Sequence, residues 1–492
     1  MKSRFFSGAT AFILTGLALH TSALFAQAPS SSTPSIANIP QTLTLADAIR
    51  AAIARNYGVR QAGNAAQRSD IEVTRSMDNA WLPTAGASGS WRYDYSLEPL
   101  SQRTLTVLQE TQGMVSTTAG DSLLVRGVPF GAQPQQVVTP AGSHSLSWDA
   151  SVGYNFFNGG SDVARIHAAQ ETFGADTNNF FWTRQFTAFT VTSDYLNILR
   201  TGELVIAADS TLAEGLAQLT LVQGQYQAGI VPVGNVYQQQ AVVDQDSLAL
   251  IQAVNNNQNA QAALLFELNV PPNQYQAYSF TVEGIDTATS AAARATVDTA
   301  ITNDQLNAVI DNRPDILAQE QNIAASEFNV DITRGHLLPS LNASAGIGGA
   351  GVNSTLSGIQ MNNGLNVGLS LTVPIFDAMQ NRLLIQEQEV DVENARIVLE
   401  QDVEQIRSDA ITAINNLKAA DEALDASQSA LTAADESLRL ASERLRVGAG
   451  TEVDVIVAEA AVETARVNRV NAKYNWVLAQ QQLAYTLGKW NY

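Results

Sequence analysis

The side chains that most often carry catalysis are scarce in this sequence. It has no cysteine and only four histidines, His20, His144, His167 and His336. A Gly-x-x-x-x-Gly-Lys-Ser/Thr phosphate loop and a His-Glu-x-x-His zinc motif are both absent. The stretch "GASGS" (86–90) misses the nucleophile-elbow pattern at its last glycine and lies in strand-like alternation. No enzyme chemistry, cofactor or metal is therefore expected, and energy for any transport has to come from a partner. What remains is carboxylate chemistry. In "RLRVGAGTEVDVIVAE" (444–459), Glu452 and Asp454 follow a Gly-Ala-Gly triplet set in an otherwise helical tract. Glycine costs about 1 kcal/mol against alanine in a helix interior, so the triplet is a break. A carboxylate just beyond it sits near the positive end of the next helix dipole.

The elements that must position this break come from the rest of the chain. Its 492 residues are 45% hydrophobic, enough for a sizeable core, while 27 basic against 47 acidic residues leave a net charge of −20. That excess argues against nucleic acid or an anionic membrane surface as partner. At the N-terminus, Lys2 and Arg4 precede a short apolar run and then small residues, which reads as a signal peptide over 1–26. A membrane anchor is the alternative, but the run falls well short of the ~20 residues needed to span a bilayer. No other segment reads as a transmembrane helix. The absence of cysteine excludes a disulfide framework, a zinc-thiolate site and a lipid-modified N-terminal cysteine.

An internal repeat organises the remainder. "RNYGVRQA" (55–62) and "DNRPDILA" (311–318) stand 256 positions apart, and "WLPTAGASG" and "LLPSLNASA" keep that offset. From "NFFNGG" (155–160) and "PIFDAM" (374–379) onward the offset is 219, through Gly229 and Gly448 to Leu268 and Leu487. The first copy thus carries an insertion of 37 residues, the difference between the two offsets. The expected organisation is a tail (27–40), a first repeat (41–270), a connector (271–300) and a second repeat (301–492).

Each repeat opens with a helix, marked in the first by the Thr44/Asp47 spacing of a helix start and closed by Pro83 or Pro339. A single short helix is expected over roughly 44–80, and another over 236–268. Two alternating stretches follow the first helix of each repeat. Ala85, Ala87, Trp91, Tyr93 and Tyr95 oppose Thr84, Ser88, Ser90, Arg92 and Asp94, and Leu146, Trp148, Ala150, Val152, Tyr154 and Phe156 form the next apolar set. In the second repeat the sets are Leu341, Ala343, Ala345 and Ile347, then Leu365 to Ile375 at every second position. A half-buried soluble sheet is one reading. Polar faces of Ser, Gly and Asn, and aromatics gathered in the first repeat, point instead to a membrane barrel with a wet lumen. Four strands cannot close a barrel, so chains must pool them.

Between strand end and glycine turn lie 72 residues in each repeat, from Phe157 to Gly229 and from Phe376 to Gly448. As helix that is about 108 Å, more than three bilayer cores, so these helices stand in water. The second long helix carries a 4,3 apolar seam from Leu399 to Leu445. A parallel seam lies one residue earlier: Ala419, Ala423, Ala426, Ala430, Ala433, Ser437 and Leu440. Two seams about 100° apart mean neighbours on two sides.

Signal, repeats, strands and helices in this order resemble the TolC-like outer-membrane efflux protein family. The most specific pieces are "NRPDILAQE", "HLLPSLNASAGIG", "GLSLTVPIFD" and "LRVGAGTEVDVIVAEAAVETARVNRVNAKYNWVLAQQQLAYTLG". The resemblance implies an α+β membrane protein. It would be a homotrimer with a 12-stranded outer-membrane barrel, four strands per chain, continuous with a long periplasmic α-helical tunnel. Such proteins are exit ducts for drug efflux or type I secretion, working with a periplasmic adaptor and an inner-membrane pump. The glycine breaks match the family's tips, so Gly229, Ile230, Gly448 and Ala449 are the expected turns and adaptor-docking points. The loop from about Ser96 to Gly142 is then expected to face outside.

The resemblance places the first aspartate of the family's gate on Asp454 but the second on Val457. The lock's arginine falls on Gly450, its tyrosine on Leu445 and its partner aspartate on Asn235. One carboxylate per chain survives, giving a ring of three Asp454 with closure held by packing. Like charges at close range raise pKa and attract multivalent cations. The alternative for Asp454 is a solvated helix-start residue, and the alternative for the whole chain is a secreted or surface coiled-coil scaffold without a channel.

Overall fold

The computed structural model describes residues 40–95, 142–281 and 303–488, with strand segments 104–107, 112–116, 122–126 and 133–136. The expected signal peptide and most of the tail and connector lie outside the described residues. The described part begins with β1 (Thr42–Leu43) and α1 (Leu45–Arg55). Thr44 caps α1 as its spacing predicts: Thr44 Oγ1 accepts from the Asp47 N–H at 3.2 Å, and Asp47 Oδ2 accepts from the Thr44 N–H at 3.4 Å.

The single helix expected over 44–80 is in fact two. Asn56 leaves the helical conformation, with ψ 136°, and the chain resumes as α2 (Tyr57–Trp81). Asn56 Oδ1 accepts from the N–H groups of Gly58 at 2.8 Å and Val59 at 3.3 Å, so it caps the second piece. Its Nδ2 donates to Glu267 Oε2 at 2.7 Å, a partner 211 residues away that no local pattern reveals.

Next come β2 (Thr84–Tyr95), the short strands β3 (Thr104–Val107), β4 (Gln112–Ser116), β5 (Ser122–Arg126) and β6 (Gln133–Gln136), and β7 (Gly142–Asn158). The pairs β3·β6 and β4·β5 are antiparallel ladders within the insertion of the first repeat. Then follow α3 (Ser161–Gln227), α4 (Val233–Glu267) and β8 (Ser279–Phe280). The second half runs α5 (Asn303–Ile310), α6 (Pro314–Gly335), β9 (Ser340–Asn353), β10 (Asn362–Thr372), α7 (Gln380–Arg446) and α8 (Glu452–Thr486). Each bound of α7 and α8 lies 219 positions beyond its counterpart in α3 and α4. At 67 residues each, α3 and α7 are about 100 Å long.

The chain divides into two compact units. One, Ser69–Thr172 with Ile323–Asn394, holds a four-stranded antiparallel sheet in the order β10-β9-β7-β2. Its register carries the alternation across every strand. Ala85 pairs with Val152, Val152 with Ala345 and Ala345 with Val367; Ala87, Ala150, Ile347 and Leu365 form the next row. One face is therefore continuously apolar, and its side chains are bare: Val367 is 78% exposed, Leu365 75% and Trp91 58%. The opposite face is lined by Ser88, Ser90, Ser147, Asp149, Gly346, Ser344, Asn366 and Gly368. The outer edges of β2 and β10 pair with no strand among the described residues.

The other unit takes the chain up to Arg68, Phe173–Asn322 and from Ala395 onward. Its core joins Ala52 of α1, Val191 and Tyr195 of α3, Leu264 and Leu265 of α4, Leu417 and Leu424 of α7, and Trp476 of α8. Each large side chain buried this way stabilises the fold by about 1.5–3 kcal/mol. A parallel pairing of β1 with β8 is pinned by the Tyr195 hydroxyl, which lies 2.7 Å from Leu43 O and 2.5 Å from Thr281 O. On α7, the seam from Leu399 to Leu445 is buried or half-buried throughout, whereas Ala419, Ala423, Ala426, Ala430, Ala433, Ser437 and Leu440 are exposed. One of the two neighbours expected for α7 is thus within the protomer.

One expectation needs correcting. Contrary to the reading that no later segment is long and apolar enough to cross a membrane, an 18-residue window of α3 meets that test by length and composition. The apolar residues of α3 are interrupted throughout by polar ones rather than forming one continuous run.

Arg313, in the "NRPDILAQE" motif, is the strongest polar tie in this unit. It is 6% exposed, pairs with Asp315 through two hydrogen bonds of 3.0 and 2.7 Å, donates to Thr486 O at 2.8 Å, and lies 4.8 Å from the Trp182 ring centroid. The start of α6 is thereby fastened to the end of α8. Arg313→Ala is expected to destabilise the protein by about 3 kcal/mol, because it strips both a carboxylate and a buried carbonyl of their donor. Arg313→Lys should recover only part of this, since a lysine lacks the planar fork. The urea midpoint of the detergent-solubilised protein reads both.

Candidate functional site at the helix turns

The two glycine breaks fold alike. Gly229 and Gly448 adopt φ +73° and +75°, the left-handed region in which a Cβ is strained. After α3, the Gly229 N–H donates to Tyr226 O at 2.9 Å and the Ile230 N–H to Gln225 O at 2.9 Å. After α7, the Gly448 N–H donates to Leu445 O at 3.0 Å and the Ala449 N–H to Arg444 O at 2.8 Å. Both are Schellman motifs, which satisfy the last carbonyls of a helix and turn the chain out of it. No atom lies within 4 Å of a Cβ built on either glycine, so the constraint there is conformational and the turns stand open. Ile230 is 71% exposed and Val447 65%, leaving apolar side chains at each turn.

The helices leaving the turns start differently. Pro232 precedes α4 and supplies no side-chain cap. Thr451 precedes α8 and builds a full capping box with Asp454. Asp454 Oδ2 accepts from the Thr451 N–H at 2.8 Å and from its hydroxyl at 2.8 Å, and Thr451 Oγ1 accepts from the Asp454 N–H at 3.3 Å. The backbone and side-chain hydrogen bonds from Thr451 hold the Asp454 carboxyl below the usual carboxylate range, with a smaller contribution from the Arg444 charge. Asp454 is exposed and Oδ1 takes no hydrogen bond within the protomer. It is thus both a capping group and an ionised carboxylate facing out. The signal for the cap was in the sequence, since Thr451 and Asp454 repeat the spacing of Thr44 and Asp47.

Glu452, its neighbour in the sequence, goes elsewhere. It is buried and accepts from Gln218 Nε2 of α3 at 2.7 Å, so it braces the helix pair. Val453 and Val457 share the exposed side with Asp454, at 49% and 64%. Where the resemblance places a lock arginine, Gly450 runs so close to α7 that a Cβ would stand 3.1 Å from Arg444 Cβ. A larger residue at 450 would require this turn to shift. Asn235, at the lock-partner position, donates its backbone N–H to Pro232 O at 3.1 Å. Two of the described histidines lie away from the turns: His144 stacks against Trp91 in the sheet at 5.9 Å and His167 against Phe328 at 5.1 Å.

Thr451→Ala removes the cap while leaving Asp454 in place. Loss of an N-cap hydroxyl costs about 1 kcal/mol, so amide hydrogen exchange over 452–456 is expected to quicken roughly fivefold with the rest of α8 unchanged.

The family model "Outer membrane efflux protein" matches residues 127–269 and 306–489, which takes in both turns and all four long helices from 161 on. The "Outer membrane efflux protein BepC" of Brucella suis biovar 1 is 22% identical over 355 residues, covering 71% of this chain and 74% of that protein. The "Outer membrane protein TolC" of Vibrio cholerae is 24% identical over 363 residues, covering 71% and 78%. The solved structure of the Campylobacter jejuni CmeC outer membrane channel superposes with a TM-score of 0.67 at 16% identity, over 90% of this chain and 85% of that one. The match across both halves shows that this chain belongs to the outer membrane efflux protein family, a family of outer-membrane channels.

Proposed function

We propose that three copies of this chain close a 12-stranded barrel in the outer membrane, continuous with a periplasmic tunnel of helices. In this reading the assembly is the exit duct of a tripartite system. One observation carries it: among the described residues, a four-stranded sheet exposes the large side chains of one apolar face, carries mostly Ser, Gly and Asn on the other, and leaves both edges unpaired. In hydrocarbon every backbone donor and acceptor has to be met within the protein, and four strands are half of the smallest barrel. Pooling strands between copies meets both demands, and the exposed alanine seam of α7 supplies a second surface that such copies would cover. A coiled-coil scaffold without a channel would leave that apolar face unexplained. The matching bounds of the long helices support descent of the chain from two copies of one unit.

The turns at Gly229–Ile230 and Gly448–Ala449 are the proposed docking points for a periplasmic adaptor, which would connect the duct to an inner-membrane pump. Their apolar side chains and open surroundings support that role. Three Asp454 carboxylates form the proposed constriction, with Val453 and Val457 packing on the same side and no ion-pair lock.

Two measurements test this reading. The outer-membrane fraction should contain a trimer that dissociates on heating before electrophoresis, and Ala430→Trp on the exposed α7 seam should convert it to monomer by overpacking. A heat-insensitive monomer for the unaltered chain would sink the duct. In planar bilayers, millimolar trivalent cation should block the channel. Asp454→Asn keeps an acceptor for the Thr451 cap but drops the charge, so it should abolish the block; an unchanged block would remove Asp454 from the constriction and leave it a capping residue.

A further inference from the structure

Away from the exposed face of α8, a second group of carboxylates lines a partly open cavity of about 130 Å³ between α3, α4 and α8, with Leu438 of α7 on one side. Glu214 of α3, Asp246 of α4, and Glu459 and Glu463 of α8 all line it, with Arg466 as the one basic residue of the lining. Arg466 is committed to Glu214, with its Nη1 at 3.3 Å from both oxygens. Asp246 is 7% exposed and accepts no hydrogen bond among the described residues, and it presses against α3 where Gly215 leaves room: a Cβ there would stand 2.9 Å from Asp246 Oδ2. A glycine in a helix interior is unfavourable, and here it permits the close approach of a buried acid to a neighbouring helix.

We propose that this cavity is a proton-operated latch between α3, α4 and α8. With Asp246 and Glu459 protonated the three helices pack closely, and when both ionise, mutual repulsion with Glu463 and Glu452 loosens them near the turns.

α3 brings Glu214, already paired, and Gln218, which donates to Glu452; α4 brings Asp246; α7 brings only the apolar Leu438 to the lining. α8 brings Glu452, Glu459, Glu463 and Arg466. Burial, and then the Glu463 charge, push Asp246 up to about 6 from 3.8. Burial, and then the charges of Glu452, Asp246 and Glu214, push Glu459 up to about 7 from 4.5. Both acids are raised, so the close-packed state binds protons more tightly than an opened one. Its extra stability is complete below about pH 4, falls as pH rises, and is gone above about pH 7. The direction is opposite to that of an ordinary surface carboxylate, which stabilises a fold when charged.

The latch does not depend on the duct reading, because it lies within one protomer. It can be read by amide hydrogen exchange on the full-length protein in detergent, corrected for intrinsic rate, between pH 5 and pH 8. Protection over 236–250 and 452–466 is expected to fall at least tenfold as pH rises, while 399–417 on α7 stays constant. The double substitution Asp246→Asn with Glu459→Gln should hold protection near its pH 5 level throughout, and Glu459→Gln alone should leave a smaller step near pH 6. A flat profile in the unaltered protein, or the same fall in the double variant, would overturn the latch.

Discussion

A strand edge in hydrocarbon has no water to satisfy its N–H and C=O groups, and each group left bare costs several kcal/mol. The outer edges of β2 and β10 run 12 and 11 residues, too long to be tolerated unpaired at a membrane. Most of what is distinctive in this chain follows from that constraint. The sheet cannot be finished by one protomer: under the proposed trimer the edges are paired by neighbouring copies, while the apolar face of Leu365, Val367, Leu369 and Trp91 is covered by lipid. The bare alanine seam of α7 is the helical counterpart: small side chains that cost little when exposed and allow close approach when covered.

Within the helical unit, specificity rests on a few polar ties rather than on packing alone. The Tyr195 hydroxyl pins β1 to β8, Asn56 joins the end of α1 to Glu267, and Arg313 joins α6 to the last turn of α8. Each tie connects residues far apart in the chain, and those of Asn56 and Arg313 sit where two helices end. Helix ends are where backbone groups lack intrahelical partners, so a side chain that reaches another end satisfies both at once.

The carboxylates near the turns show how environment divides one chemistry into two. Asp454 receives hydrogen bonds from Thr451 and is held ionised on an exposed face. Asp246 and Glu459 lie among helices with acids for neighbours and are pushed toward neutrality. The first is the proposed cation-attracting group and the second pair the proposed proton-responsive one, although Asp454 and Glu459 are only five residues apart on α8. An outer-membrane protein meets the pH of its surroundings directly, which gives the second group something to respond to.

The architecture was largely legible in the sequence, because it is written in local signals. Alternation of period two marks the strands, the 4,3 seam marks α7, and the glycines at 229 and 448 mark turns that need a left-handed residue. Repetition at constant offset multiplied each weak signal, and the motifs from "NRPDILAQE" onward supplied the family. The break at Asn56 was not legible, since asparagine is tolerated within helices and its anchor, Glu267, is distant. Nor was the role of Arg313, whose partners are a neighbouring aspartate and a carbonyl at residue 486. At the turns the family resemblance pointed to Asp454 rather than Glu452. Where each carboxylate goes was decided by the tertiary structure, because burial against Gln218 or exposure beside Thr451 depends on which way the first turn of α8 faces. Periodicity and turn chemistry are properties of neighbours along the chain and can be read from it; the ionisation of a carboxylate is set by neighbours in space.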